Sequence, residues 1–295
     1  MRRATAMSGA PDATRIGTDA SNSETSQLGS ETGDLLNAPM HDARPPLGQY
    51  RLLLEWAACL FLMALGLYLD KAKPFEQYIG NRLNDPIISY PHTPRDKQQI
   101  DSRKLWFLAL WGPLGAIILL KAVFPGGRRE LNRAVLGLCS SLSLALTLIC
   151  LIKNNVGRLR PDFLARCVPV NGLCSHSGPE VMEGRKSFPS GHSGLSFAGL
   201  GYLALYMFVG IGQLQAGRWQ YSLWRVILAG CPWCIALWVA FSRLQDYWHH
   251  WEDILVGGLL GHACAISMYK LQHHGEPLGT VDKSISTSGC KAVPV

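Results

Sequence analysis

The chain has 295 residues, 48% hydrophobic and 17% charged, with 28 Lys and Arg against 21 Asp and Glu for a formal charge of +7. A charged fraction below the roughly 25% usual in soluble domains excludes a highly charged disordered chain or a coiled coil. The positive balance would suit nucleic acid only as a basic stripe on a soluble domain; here the basic residues lie between long apolar runs, so no nucleic-acid partner is expected.

Residues 1–45 are rich in Ser, Thr, Ala, Gly, Asp and Pro, lack an apolar period, and cannot bury enough surface to offset the entropy of ordering. Arg2 and Arg3 make a basic start, but no apolar stretch follows within thirty residues, so the first apolar run rather than a cleaved signal peptide is expected to direct insertion. The runs follow at Leu52–Leu69, Leu105–Phe124, Ala134–Ile152, Ser193–Gly212, Trp224–Phe241 and Ile254–Tyr269. Five of them have 18 to 20 residues, near the roughly 20 that a helix needs to cross a bilayer core about 30 Å thick. The last has 16 and is short unless its helix begins earlier, in the polar stretch ending at Asp253. The expected fold is all-α: a polytopic membrane protein with six transmembrane helices in one bundle. Its expected divisions are a disordered tail over residues 1–50, the helical domain over 51–270 and a flexible tail over 271–295.

Loop charges set the orientation only weakly. Arg128, Arg129, Arg133 and Arg218 favour cytoplasmic termini, yet Asp70–Lys104 holds seven Lys and Arg and Lys153–His192 six. Relative sidedness is firmer, because segments 153–192 and 242–253 follow the third and fifth spans and so face one compartment. Of nine cysteines, only Cys167 and Cys174 share a loop outside the runs, and they would pair if that loop faces an oxidising compartment. Cys231-Pro-Trp-Cys234 matches a redox spacing but sits inside the fifth run without a βαβ context, so a Pro-containing helix is expected there.

Three polar clusters stand at helix ends, where ionisable residues are functional candidates. They are Lys153-Asn-Asn-Val-Gly-Arg158-Leu-Arg160-Pro161, Gly184-Arg-Lys-Ser-Phe-Pro-Ser190-Gly191-His192, and Ser242-Arg243-Leu-Gln-Asp246-Tyr-Trp-His249-His250-Trp-Glu252-Asp253. Lys153, Arg160 and Arg243 offer an ammonium and two guanidinium forks to one anion. Ser190 and Gly191 put a hydroxyl and free N–H groups at the positive end of a helix. His249 and Asp253 are four apart and share a face if the sixth helix starts a turn early, so the carboxylate can hold one ring nitrogen while the other attacks. His192, ordinarily titrating near 6.5, suits protonation of a leaving oxygen. Together they describe a phosphomonoester hydrolase that needs no metal or other cofactor. Blander readings stand beside it. Single cations at helix ends anchor in headgroups, Tyr247, Trp248 and Trp251 suit an interfacial belt, and His192, His249 and Asp253 could ligate a metal, although three neighbouring cations oppose one.

The clusters also resemble the signature of the type 2 phosphatidic acid phosphatases, or lipid phosphate phosphatases: K-x6-R-P, P-S-G-H and S-R-x5-H-x3-D. All three are complete here, as Lys153-x6-Arg160-Pro161, Pro189-Ser190-Gly191-His192 and Ser242-Arg243-x5-His249-x3-Asp253. Gly157–Phe163 and Glu183–Pro189 are similar to the fungal phosphatidate and diacylglycerol pyrophosphate phosphatase branch. The resemblance implies His249 as nucleophile, Asp253 as its relay partner and His192 as general acid. It implies Lys153, Arg160, Ser190, Gly191 and Arg243 as phosphate ligands, an extracytoplasmic or luminal site, no magnesium, and lipid phosphates such as phosphatidate, lysophosphatidate or diacylglycerol pyrophosphate as substrates of an enzyme set in the bilayer. Polyprenyl diphosphates or sphingoid-base phosphates are the alternative substrates and a non-catalytic lipid-binding relative the alternative class. Oligomeric state is left open.

Overall fold

The computed structural model describes residues 47–123, 128–170, 173–213 and 223–273. Of the expected tails, residues 1–46 and 274–295 lie outside the described residues, as does Arg218, while residues 47–50 and 271–273 belong to the first and last helices. Among these residues six helices are long and apolar enough to cross a membrane. They are α1 (Leu47–Lys71), α2 (Ser102–Val123, with a π turn at Phe107–Trp111), α3 (Arg128–Val156), α6 (Gly191–Gln213), α7 (Leu223–Gln245) and α8 (Trp251–His273). The chain is therefore an all-α, multi-pass membrane protein, and each span coincides with one of the predicted apolar runs, the second apart from Phe124, which lies outside the described residues.

Composition decides which helices are central. Leu138, Leu142, Ala145 and Ile149 of α3 meet Leu195, Ala198 and Tyr202 of α6, Cys264 and Ala265 of α8, and Ala109 and Ile117 of α2 in one buried core. By contrast α1 leaves Leu53, Leu54, Leu60 and Phe61 exposed, and α7 leaves Ile227, Trp238 and Phe241 exposed, the pattern of faces that meet acyl chains. Glycines bring α6 and α8 together. A Cβ at Gly257 would stand 2.5 Å from the Ser190 carbonyl oxygen, and one at Gly261 2.0 Å from that of Gly194, so only glycine permits this crossing. The sixth run's glycines thus serve packing within the chain. Pro232 lies inside α7, and Cys231 and Cys234 are both unpaired, as expected of a Pro-containing helix rather than a redox site.

Two connections carry short structure on the site's side of the bundle. Between α3 and α6 stand α4 (Phe163–Cys167), a hairpin of β1 (Pro169–Val170) and β2 (Leu173–Cys174) and α5 (Pro179–Glu183). A Cys167–Cys174 disulfide closes the hairpin. Between α1 and α2, residues 72–101 make three single 3-10 turns and run as a strap across the helix ends. The Phe75 N–H donates to the Asn154 carbonyl at 2.7 Å, Tyr90 N–H to Pro161 at 3.0 Å, and the Trp248 indole to the Thr93 carbonyl at 2.9 Å.

Candidate active site

Each cluster is delivered by a helix end. Lys153 occupies the last turn of α3, buried. The helix stops at Gly157, whose φ of +62° favours glycine and whose Cβ would fall 1.9 Å from the Phe75 carbonyl oxygen. Ser190 precedes α6 and caps it: its Oγ accepts from Ser193 N–H at 3.4 Å, while its own N–H donates to the Asp253 carbonyl at 2.9 Å. A Cβ on Gly191 would lie 3.5 Å from Lys153 Nζ, so the ammonium stands beside the opening turn of α6. Among the described residues Lys153 has no ion-pair partner. Arg243, in the last turn of α7, is fully buried and spans Ser242 Oγ (3.1 Å), Gln98 Oε1 (2.9 Å) and Asp246 Oδ2 (2.6 Å).

The third cluster departs from its expected geometry. The sixth helix does not start early enough to include His249: α8 begins at Trp251, and the chain reverses at Tyr247 with a φ of +58°. The cause is a local cap. Asp253 Oδ2 accepts from the His250 backbone N–H at 3.0 Å, the reciprocal half of a capping box. His249 is therefore presented by a turn, not a helix face, yet its Nδ1 still lies 3.6 Å from Asp253 Oδ2. That atom is buried without a hydrogen-bond partner, as are His192 Nε2 and Arg160 Nη1. Burial first, then the charges of Arg160 and Lys153, depress the His249 pKa to about 3 against the opposing pull of Asp253, so its ring is neutral near pH 7. The titratable groups close enough to act on His192 are Arg243, His249, Lys153 and Arg160, which brings residues of all three clusters together.

Several residues of the site were not assigned roles from sequence. Arg160 is held by Glu183, its Nε donating to the Glu183 carbonyl at 2.9 Å and its Nη2 to the Glu183 carboxylate. Burial alone would raise the Glu183 pKa, but Arg160 and Lys153 outweigh it and hold the carboxyl ionised. Trp248 is not part of an interfacial belt: it is buried, with the guanidinium carbons of Arg160 and Arg166 each 4.5 Å from its ring centroid. Arg166 in turn grips the fully buried Asp162 at 2.7 and 3.0 Å, and His92 Nδ1 lies 2.6 Å from the same carboxylate. Tyr247 and Trp251 are exposed, as a belt requires. The one sequence cue for Trp248 was its position beside His249.

The PAP2 superfamily model matches residues 134–275, the stretch that carries the second and third clusters and all of the first. A probable diacylglycerol pyrophosphate phosphatase 1 of Schizosaccharomyces pombe is 38% identical over 214 residues, covering 65% of this chain and 73% of the relative. The chain belongs to the PAP2 superfamily. Other PAP2 relatives include lipid phosphate phosphatase 2 of Arabidopsis thaliana, 33% identical over 73% of this chain and 75% of its own length. Diacylglycerol pyrophosphate phosphatase 1 of Saccharomyces cerevisiae is 34% identical over 67% of this chain and 71% of its own. No solved structure matches.

In this PAP2 chain the doubly stacked indole should be a structural clamp. Trp248→Leu removes two cation–π contacts, each about 0.5–2 kcal/mol, and the indole hydrogen bond to Thr93. The expected loss is roughly 2–4 kcal/mol, read as a lower denaturant midpoint in detergent, with Trp248→Phe recovering part of it.

Proposed function

We propose that this chain is an integral-membrane lipid phosphate phosphatase that hydrolyses phosphatidate, and by the same chemistry lysophosphatidate or diacylglycerol pyrophosphate, without a metal ion. The observation that carries the reading is Lys153: a buried ammonium that makes no ion pair among the described residues, with Glu183 acting on it only from beyond ion-pair distance, beside the first turn of α6. A buried cation left unpaired is costly, and a phosphoryl group is the ligand that would complete it. Arg160 Nη1, the N–H groups of Gly191 and His192 at the helix start, Ser190 and Arg243 complete the proposed cradle.

In the proposed reaction the lone pair of His249 Nε2 attacks phosphorus, and the ester P–O bond breaks towards glycerol. The leaving oxygen takes its proton from His192, whose protonated form is favoured by the bound phosphate charge. Asp253 accepts from His249 Nδ1 and steadies the charge that develops on the ring, which needs the 3.6 Å separation to close by several tenths of an ångström. His192, now neutral, withdraws a proton from water as that water attacks the phosphohistidine. Inorganic phosphate leaves and His249 is restored. The Cys167–Cys174 disulfide lies in the same inter-helix segment as two of the clusters, which supports a luminal or extracytoplasmic face for the site.

The test is phosphate release from phosphatidate in mixed micelles by the detergent-purified protein with excess EDTA. Sustained release is expected. Loss of release on adding EDTA would overturn the metal-free chemistry. Release from a polyprenyl diphosphate or sphingoid-base phosphate but not from phosphatidate would overturn the substrate assignment.

A further inference from the structure

The carboxylate of Asp253 is fully buried, and its two oxygens have different company. Oδ1 accepts from Arg158 Nη1 at 2.7 Å, while Arg158 Nη2 reaches Glu252 Oε2 at 3.4 Å. Oδ2 accepts from Ser187 Oγ at 2.5 Å and from the His250 backbone at 3.0 Å, and faces the Nδ1 atoms of His250 at 3.3 Å and His249 at 3.6 Å. Neither Arg158 nor Ser187 belongs to the three motifs. Both come from the connection between α3 and α6, Arg158 from its start and Ser187 from its end, and the Ser187 N–H donates to the Arg158 carbonyl at 3.0 Å, so the two ends of that connection are joined beside the carboxylate.

This arrangement solves a specific problem. Nothing in the capping box orients Asp253 towards His249 rather than His250, whose ring nitrogen is nearer. An aspartate free to rotate about its terminal torsion would be captured by the adjacent histidine. One arm of Arg158 on Oδ1, with its other arm held by Glu252, resists rotation of the carboxylate, and a hydroxyl on one flank of Oδ2 leaves the other flank for a ring N–H. Arg158 also supplies the countercharge that lets a buried carboxylate stay ionised. We infer that Arg158, assisted by Ser187, is the positioning residue of the Asp253–His249 pair, acting on the reaction through Asp253 and not through contact with phosphate. The inference rests on the mechanism proposed above.

Kinetics and spectroscopy separate this role from phosphate binding. Arg158→Gln should lower kcat roughly 10- to 100-fold, the range for removing an outer group that orients a reactive side chain. It should leave KM and inhibition by inorganic phosphate within about twofold, with Arg158→Lys intermediate. Combined with Asp253→Asn, Arg158→Gln should cost nothing further, because its target is already gone. Releasing Asp253 from its Arg158 contact should also shift the titration midpoint of the His249 imidazole, followed by 15N NMR of histidine-labelled protein in detergent. The groups facing that pair are Arg158, Arg160, Lys153, His192, His250, Glu252 and Ser187, and only Arg158 is changed. Ser187→Ala, which deletes a single hydroxyl, gives the same test in milder form if Arg158→Gln folds poorly.

An equal kcat penalty in the Asp253→Asn background, or a raised KM and weaker phosphate inhibition at constant kcat, would overturn the inference. So would an unmoved His249 titration, which needs no turnover and decides the matter even in a protein that releases no phosphate. Absence of release from the unmodified protein on every lipid phosphate is a failure of the proposed function and is recognised separately.

Discussion

His249→Ala is expected to reduce phosphate release from phosphatidate by roughly 10⁴-fold or more, the scale seen when a covalent nucleophile is removed while the surrounding binding groups remain. The cationic set of Lys153, Arg160 and Arg243 would still bind the headgroup, so inhibition of binding by inorganic phosphate should survive. The fold should survive too. His249 Nδ1 is buried without a partner, so the substitution removes an unsatisfied polar atom along with the ring. The same substitution changes the pH dependence of stability. The folded pKa of about 3 lies below the ordinary 6.5 of an unfolded histidine. Between those values the unfolded chain binds the extra proton, so this residue's contribution is intact above about 6.5 and is lost as pH falls towards 3. Unfolding midpoints of His249→Ala should fall less steeply over that window than those of the unmodified protein. Wild-type turnover by the alanine variant would remove His249 from the mechanism.

The largest loss of stability is expected from Arg243→Ala. Its guanidinium is the partner of Asp246, which is itself nearly buried and also accepts from the Gln99 N–H at 3.1 Å. Stripping one member of a buried pair costs about 3–5 kcal/mol, because the remaining charge is stranded. The substitution also frees Gln98, one of the pins that hold the strap of residues 72–101 to the end of α7. A double substitution, Arg243→Ala with Asp246→Ala, should regain part of the stability by deleting the stranded carboxylate. Phosphatase activity should not return with it, since Arg243 is assigned to the phosphoryl group as well as to the strap. Recovery of both together would reduce Arg243 to a purely structural residue.

The six spans were legible because bilayer thickness and helical rise leave little choice for a nearly uncharged run of about 20 residues. The candidate site was legible for a different reason: Lys153, Ser190, His192 and His249 stand in three polar clusters at helix ends, on segments that face one compartment. What stayed hidden depended on partners distant in sequence. Arg158 meets Asp253 across 95 positions, and Gln98 meets Arg243 across 145. Trp248 has the same hydropathy as the exposed Trp251 three residues on, and only the folded chain separates a clamp from an anchor. The sixth helix does begin in the polar stretch, at Trp251, but the face that i, i+4 spacing suggested for His249 and Asp253 is not shared, because Asp253 spends one oxygen on the His250 cap. The pairing of Cys167 with Cys174 turned on the compartment, which the even spread of basic loops could not decide.

The strap has a kinetic consequence. It crosses the ends of α3 and α7 while showing Phe75, Tyr78, Ile87 and Tyr90 on its outer surface, and beneath it His249, Arg160 and Arg243 are all at most 3% exposed. The proposed reaction centre, roofed in this way with greasy residues around the roof, is expected to draw its substrate sideways from the leaflet rather than downwards from water. Turnover should then track the mole fraction of the lipid in its micelle or bilayer. Diluting the surface with inert detergent should slow the enzyme even when the bulk concentration of substrate is unchanged.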